Sequence, residues 1–210
     1  MSSAAASANP SARVLGDVIP GERVRDVLLT VGYALAIAAS GQLAFFLPGN
    51  PVPITAQTFV VLVGAIVLGT SRASIGAMGY LALGVAGVPW FAATSGATVG
   101  YILGFVVAGV LLGAVAQRGY LRGPVQVASA MVVGNLVIYG FGVAWVAAAL
   151  RLQPEFLAVF GLQGVPAFST LLAMFVVPFL IGDAIKIAAA TAVLPSAWKL
   201  VGRDDDPAST

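Results

Sequence analysis

The stretch 165–198 is dominated by apolar residues and carries only two formal charges, Asp183 and Lys186. A run of this length and composition lies mostly in the hydrocarbon of a membrane, where a charged side chain costs about 2.5–3.5 kcal/mol on insertion scales. Because the two residues are three positions apart, their side chains share one helix face and can partly neutralise each other. This pair is therefore a candidate ligand site, with a purely structural buried salt bridge as the alternative.

The composition of the whole chain is also that of a membrane protein. Of its 210 residues, 60% are hydrophobic and 9% are charged, whereas soluble domains carry about 25% charged residues. The 25 glycines are typical of helices that pack closely in lipid. The net charge of +2, without a basic stretch interleaved with aromatics, argues against nucleic acid as a partner.

Several classes of chemistry are excluded by residue types that the sequence lacks. The chain has no Cys and no His, which removes disulfides, zinc and haem sites, and catalysis by Ser–His or Cys–His pairs. No Walker A, HExxH or GxSxG sequence occurs either. We therefore predict a protein that is not an enzyme, has no catalytic residues, metal or cofactor, and does not itself hydrolyse ATP.

Six apolar segments are long enough to span or nearly span a bilayer, for which about 20 residues are needed. They cover residues 27–47, 55–69, 73–88, 100–117, 124–150 and 168–195, and the second and third are short. Pro178 removes one backbone hydrogen bond from the last segment and is expected to kink it. The fold class predicted is an all-α integral membrane bundle of six transmembrane helices.

The basic residues between these segments predict the orientation of the bundle. Eight lie on the side of both termini and only Arg151 lies on the other, so the positive-inside rule places both termini in the cytoplasm of a multi-pass protein of the cell membrane. We predict a disordered N-terminal tail over 1–23, a transmembrane domain over 24–199 and a C-terminal tail over 200–210. No cleavable signal peptide is expected, because the first 20 residues have no apolar core.

Polar and aromatic side chains near the segment ends are further candidates for a binding site. Gln57, beside Thr55 and Thr58, offers hydrogen-bonding groups at the start of the second segment, although a helix–helix hydrogen bond is an alternative. Asn135 and Tyr139 share one face of the fifth segment and could equally join helices. Trp90, Phe91 and Tyr101 flank the third connection; interfacial anchoring is the alternative to lining a pocket.

Four motifs in order resemble the BioY family, the biotin-specific S component of energy-coupling factor transporters. They are VPITAQTF, GYILGF, GNLVIYGFGVAW and PFLIGDAIKIAAA, and the resemblance runs from about residue 42 to 190. It implies a membrane protein that captures biotin from outside, with Asp183 and Lys186 contacting the vitamin. It also implies ligand contacts from the loop containing Thr94 and Ser95, where ATSGATV replaces the family's more glycine-rich sequence.

The resemblance also implies partners. Family members contact a membrane-embedded T component through an Ala-x-x-x-Ala motif on helix 1, which Ala34 and Ala38 match, and two cytoplasmic ATPases complete the complex and use the ATP. For a biotin ligand, Asn135 or Gln57 can supplement Asp183 at the ureido ring, and Trp90, Phe91 and Tyr101 can wall the apolar part. Small-residue stripes on helix 1 can alternatively pack inside the bundle.

Three other functions stay open at this point. The chain could be an S component for another vitamin, or a proton-coupled carrier that uses Asp183. It could also be a membrane scaffold in which the Asp183–Lys186 pair is structural. An enzyme is disfavoured by the lack of His, Cys and clustered carboxylates.

Overall fold

The computed structural model describes residues 14–19, 22–48, 50, 52–91, 96–153 and 155–203. Within these ranges the chain forms eight α-helices, two short 3-10 helices and one antiparallel pair of two-residue strands. In chain order the elements are a 3-10 helix Leu15–Val18, α1 Glu22–Gly41, β1 Ala44–Phe45, β2 Ile54–Thr55, α2 Gln57–Leu68, α3 Thr70–Val85, α4 Val99–Gln117, α5 Pro124–Leu152, α6 Glu155–Val159, α7 Phe168–Phe175, a 3-10 helix Val177–Phe179 and α8 Leu180–Arg203.

Four helical stretches of the described chain are long and apolar enough to cross a membrane. They are Glu22–Gly41, Val99–Gln117, Pro124–Leu152 and the broken stretch Phe168–Trp198. The helices α2 and α3 have 12 and 16 residues, or about 18 and 24 Å at 1.5 Å per residue, which is less than a hydrocarbon core of about 30 Å. The helical membrane fold is thus confirmed, while six full spans stay a prediction.

Large apolar side chains point outward from the bundle. Val27 and Leu28 on α1 are exposed, as are Ile181 and Ile185 on α8. Extended apolar surfaces of this kind are rare on soluble monomers, whereas lipid tails cover them without cost. The outer surfaces of α1 and α8 are therefore those of a membrane protein.

Helix α4 occupies the middle of the bundle, where it packs against α2, α3 and α5. Two of its glycines are required by close backbone approach. A Cβ at Gly104 would lie 2.8 Å from Ile138 Cα of α5, and a Cβ at Gly113 would lie 2.4 Å from Thr70 N of α3. The glycine-rich sequence of α4 thus permits the close helix packing that its composition predicts.

The first apolar segment is shorter at its C-terminal end than the predicted 27–47. Helix α1 ends at Gly41, and the N–H groups of Gln42 and Leu43 close 3-10-type bonds to Ala39 and Ser40. The chain then forms β1, in which Ala44 pairs with Thr55 and Phe45 with Ile54. Apolarity alone did not separate helix from strand here, because short apolar runs occur in both.

The predicted tail boundaries also differ from the structure. Within the predicted N-terminal tail, Leu15–Val18 form a 3-10 helix and Val14 is buried. Arg72 pairs with Asp17 at 2.8 Å and with Asp26 at 2.9 Å. Helix α8 continues to Arg203, past the predicted end of the last segment and the predicted start of the C-terminal tail.

The last apolar segment is broken at Pro178, where the sequence predicts a kink. Helix α7 ends at Phe175, and the 3-10 turn that contains Pro178 leads into α8 at Leu180. Proline lacks the N–H that a continuous helix would need, so the break follows directly from the sequence. Its consequence is a new helix N-terminus inside the apolar segment.

Candidate functional site

Asp183 lies in the first turn of α8, immediately after the helix break. A carboxylate is stabilised there because the N-terminal end of a helix carries a partial positive charge. Lys186 follows three residues later, and its Nζ lies 2.9 Å from Asp183 Oδ1. The Asp183 side chain is only 6% exposed and that of Lys186 17%, so the two charges form a nearly buried pair.

Two hydroxyl groups from other helices complete the surroundings of this pair. The Thr58 hydroxyl of α2 donates to Asp183 Oδ1 at 3.2 Å and accepts from Lys186 Nζ at 2.7 Å. The Tyr139 hydroxyl of α5 donates to Asp183 Oδ2. Three helices thus converge on one carboxylate, and each contributes a polar group that an apolar bundle would otherwise not bury.

The aromatic rings around the pair are also fixed by the broken segment. Phe179 lies in the break, with its ring centroid 6.2 Å from those of both Tyr101 and Tyr139. The Tyr101 hydroxyl donates to the Phe175 carbonyl at 2.8 Å. Tyr101 therefore helps hold the end of α7 against α4 while its ring faces the charge pair.

The charge pair lies at the base of a two-part cavity. The deep compartment has a volume of about 60 Å³ and is lined by Val52, Pro53, Thr55, Gln57, Thr58, Thr98, Tyr101, Ile102, Phe105, Tyr139, Phe179, Asp183 and Lys186. The outer compartment measures about 350 Å³ and is lined by Gly41, Gln42, Ala44, Phe46, Pro53, Thr55, Gln57, Tyr80, Trp90, Thr98 and Ile102. Because the two compartments share lining residues, they adjoin each other and form one site.

Gln57 stands between the two compartments. Its Nε2 donates to the Tyr80 hydroxyl at 2.7 Å and to the Ile37 carbonyl at 3.3 Å. Trp90 is at the mouth of the outer compartment, two-thirds exposed and with a φ of 74°. A left-handed backbone is costly for a bulky residue and tends to occur at functional sites. Trp90 is therefore a candidate ligand contact.

Besides the charge pair, six residues that were predicted for the site lie in the described part of the chain. Four of them line the cavity, and Phe91 and Asn135 do not. Gln57, Tyr101, Tyr139 and Trp90 line the cavity, but Phe91 does not, because it packs behind the Tyr80 ring at a centroid distance of 5.7 Å. Asn135 is buried one turn from Tyr139 and lines neither compartment; its Oδ1 has no hydrogen-bond partner among the described residues. Thr94 and Ser95 lie outside the described residues.

The predicted partner surface on α1 is corrected by the structure. Ala34 and Ala38 are buried, at 8% and 2% exposure, because this face of α1 packs against α2 and α3. The small residues that α1 leaves exposed are Gly32, Ala36 and Ala39. The Ala34–Ala38 stripe therefore belongs to the interior of the bundle.

The lining residues that were not predicted for the site include Thr58, Tyr80, Thr98 and Phe179. Thr58 carries a usable signal, because its hydroxyl follows Gln57 directly and lies at the same end of α2. Tyr80 is the single tyrosine of α3, which is a usable signal. Thr98 and Phe179 carry no distinctive signal, since a threonine before a helix is usually a cap and a phenylalanine in an apolar segment usually packs in the core.

Counting hydrogen-bonding positions shows what the charge pair can still bind. A carboxylate offers about four acceptor positions and an ammonium offers three donors. Asp183 uses three of its positions, toward Thr58, Tyr139 and Lys186, and Lys186 uses two of its donors. One acceptor position of Asp183 and one donor of Lys186 are left, which suits a ligand that carries both an N–H and a C=O.

Comparison with known proteins shows which family this chain resembles. A family model described as the BioY family matches residues 8–203. The biotin transporter BioY of Rhizobium etli is 35% identical over 59% of this chain and 74% of its own length. The probable biotin transporter BioY of Pyrococcus horikoshii is 28% identical over 82% of this chain and 94% of its own length.

The fold is shared with a solved structure. A crystal structure of the S-component for biotin from an ECF-type ABC transporter superposes with a TM-score of 0.66, covering 84% of this chain and 92% of that one at 19% identity. At this identity the likeness concerns the fold. The family match spans nearly the whole chain, and on that ground the chain belongs to the BioY family.

Proposed function

We propose that this chain is the biotin-binding membrane component of a vitamin uptake system. The observation that carries the proposal is the nearly buried Asp183–Lys186 pair at the base of a cavity, in a chain of the BioY family. Relatives named biotin transporters support the choice of ligand. The protein acts by binding and release rather than by catalysis.

The ureido ring of biotin fits the free hydrogen-bonding positions of the charge pair. It presents an N–H donor beside a carbonyl acceptor, and the remaining acceptor of Asp183 and donor of Lys186 match that pattern. Thr58 and Tyr139 hold the carboxylate in place through their own bonds to it. Hydrogen bonds to charged groups contribute about 1.5–3 kcal/mol each, so this end of the ligand would anchor the complex.

The outer compartment suits the rest of the molecule. The thiophane ring and the valeryl chain are apolar, and Ile102, Phe46 and the Trp90 indole line this space. Its volume of about 350 Å³ falls within the range of about 300–1,000 Å³ that is common for small-molecule pockets. The carboxylate end would lie near the mouth, where Gln57 and Tyr80 offer polar contacts.

The topology that we propose has six membrane passages with both termini in the cytoplasm of a plasma-membrane protein. The basic residues of the connections support it, because Arg72, Arg118 and Arg122 lie on the side of the termini. The short helices α2 and α3 would each cross the membrane where the bilayer is locally thinned around them. Biotin would then enter from the outer side, where the strands and Trp90 lie.

Energy for uptake would come from partner subunits, a membrane-embedded T component and two cytoplasmic ATPases. The absence of a Walker A motif from the sequence supports this division of labour. The fold shared with an S-component of an ECF-type transporter supports it as well. The purified chain alone would bind biotin without consuming ATP.

The experiment that tests the proposal is equilibrium binding of a ligand panel across pH. Biotin, thiamine and riboflavin would be titrated into the purified chain between pH 6 and pH 8. We expect saturable binding of biotin alone with little pH dependence. Preference for another vitamin would support a different S component, strong coupling to pH would support a proton-coupled carrier, and a folded chain that binds none would support a scaffold.

A further inference from the structure

The break between α7 and α8 deprives the Met174 and Phe175 carbonyls of their helical partners. In a continuous helix the Met174 carbonyl would accept from residue 178, but Pro178 has no N–H. The Phe175 carbonyl would accept from the N–H of Phe179, which instead donates to the Val176 carbonyl at 3.0 Å. In an apolar environment such groups need other donors.

Two side chains from distant parts of the chain supply those donors. Tyr101 of α4 donates to the Phe175 carbonyl at 2.8 Å, as part of the site already described. Asn50, in the connection between β1 and β2, donates from Nδ2 to the Met174 carbonyl at 2.7 Å. The second bond joins residues 124 positions apart, and the site described above does not include Asn50.

Asn50 also bonds to a residue of the cavity wall. The N–H of Val52 donates to Asn50 Oδ1 at 3.0 Å, so the amide is fixed at both ends. Val52 is 4% exposed, and together with Pro53 it lines the deep compartment. One side chain thus ties the cover of the deep compartment to the helix break that positions Asp183.

We propose that Asn50 is a positioning residue that latches Val52 and Pro53 over the bound ligand. While the Asn50–Met174 bond is formed, the outer wall of the deep compartment stays closed. When the bond opens, this wall can move away without unfolding either α7 or α8. The ligand in this proposal rests on the proposed function, but the latch itself rests on the hydrogen bonds of Asn50.

Asn50→Asp is the most direct variant. It keeps the oxygen that accepts from Val52 and replaces the donor that faces the Met174 carbonyl with a second oxygen. We expect the dissociation rate of biotin to rise about five- to tenfold, as for the loss of one hydrogen bond, with no fall in the association rate. Gln163→Glu, the same chemical change at an exposed position, should leave both rates unchanged.

A residue that only supported folding would behave differently. Its loss would lower the fraction of binding-competent protein and leave the rates of the remainder at wild-type values. Stopped-flow binding measures the rates, and titration with biotin to saturation counts the binding-competent sites. That outcome for Asn50→Asp would overturn the latch.

Pro178→Ala tests the same bond from its other side and does not depend on Asn50→Asp being well folded. Alanine favours helix and restores an N–H that competes with Asn50 for the Met174 carbonyl. The latch predicts faster biotin release in Pro178→Ala alone, and no rescue when it is combined with Asn50→Asp. If Pro178→Ala returns the release rate of Asn50→Asp to that of wild type, Asn50 merely satisfies the carbonyl and the proposal fails.

A measurement without ligand separates this proposal from the proposed function. The chain has no Cys, so Val52→Cys introduces a single thiol at a buried position. Asn50→Asp in that background should raise the rate of maleimide labelling about five- to tenfold, because the cover opens more often. An unchanged labelling rate contradicts the latch; a raised rate in a protein that does not bind biotin keeps the latch and rejects the biotin assignment.

Discussion

Thr58 and Asp183 lie 125 positions apart in the chain, and the Thr58 hydroxyl donates to Asp183 Oδ1 at 3.2 Å. The same hydroxyl accepts from Lys186 Nζ at 2.7 Å. Thr58 therefore bridges the two charges and connects α2 to α8 at the base of the cavity. A buried ion pair gains stability only when its remaining hydrogen-bonding positions are also satisfied, and Thr58 satisfies one on each partner.

Thr58→Val tests this bridge, since valine has the same shape as threonine but no hydroxyl. We expect biotin affinity to fall by about 1–2 kcal/mol, roughly five- to thirtyfold, because Lys186 and Asp183 both lose a partner. Calorimetry on the purified variant measures the change. The matched variant Thr191→Val removes a hydroxyl that bonds only within its own helix, and an equal loss of affinity there would show that the effect is not specific.

Asp183→Asn should weaken binding more strongly than Thr58→Val. It removes the charge with almost no change in volume, and it leaves Lys186 partly buried without its counter-ion. The loss of a charge-assisted acceptor is worth about 1.5–3 kcal/mol, which corresponds to roughly ten- to 150-fold in affinity. Retention of radiolabelled biotin on immobilised protein measures it.

Glu155→Gln is the control for Asp183→Asn, because it neutralises an exposed carboxylate on α6. It should bind biotin as wild type does. Unaltered affinity in Asp183→Asn would remove Asp183 from the site.

Tyr139 and Tyr101 line the same compartment, but their hydroxyls serve different partners, and phenylalanine variants separate the two roles. Tyr139→Phe removes a donor to the Asp183 carboxylate and should lower biotin affinity about ten- to 150-fold. Tyr101→Phe leaves the Phe175 carbonyl without its donor. This variant should lower the free energy of unfolding by about 1–3 kcal/mol, with a smaller effect on biotin affinity. Equal effects of both variants on affinity would contradict this division.

The fold was predictable from the sequence where the signal is local. Apolar runs mark the helices because residues in lipid must be apolar over most of a segment, and Pro178 marks the break because its chemistry removes a donor. The position of Asp183 in the first turn after that break follows from the same two facts. The end of α1 was not predictable, because residues 43–47 are as apolar as a helix, but Ala44 and Phe45 pair with Thr55 and Ile54 instead.

The sequence alone gives neither the rotation of each helix about its axis nor the level along that axis at which the site lies. Asn135 and Tyr139 share a helical face, yet Tyr139 reaches Asp183 and Asn135 lines neither compartment. Ala34 and Gly32 both read as packing positions, yet only Ala34 is buried. Which side of a helix faces its neighbours depends on tertiary packing, and a single sequence of mixed small residues does not specify it.

The buried stripe of α1 predicts a stability difference between two double variants. Ala34→Trp with Ala38→Trp should prevent correct folding, since both positions are buried against neighbouring helices and large side chains overfill a packed core. Gly32→Trp with Ala36→Trp should be tolerated, because both residues are exposed and a Cβ at Gly32 meets nothing within 4 Å. Thermal melting in detergent measures both, and the reverse order of stability would contradict the assignment of faces.

The proposed topology predicts that both ends of the chain are reached only from the cytoplasm. Because the sequence has no Cys, Ser2→Cys and Thr210→Cys each give a single thiol for labelling. A membrane-impermeant maleimide should react with neither thiol in intact cells and with both after lysis. Labelling of either end in intact cells would contradict six membrane passages with both termini inside.

The most direct test of the account is a calorimetric titration of the purified chain with biotin. If the Asp183–Lys186 pair forms the base of a biotin site, the titration saturates at one biotin per chain, and Asp183→Asn reduces the affinity under the same conditions. A correctly folded wild-type chain that releases no heat and shows no binding by a second probe, or that binds with the same affinity in Asp183→Asn, would contradict it.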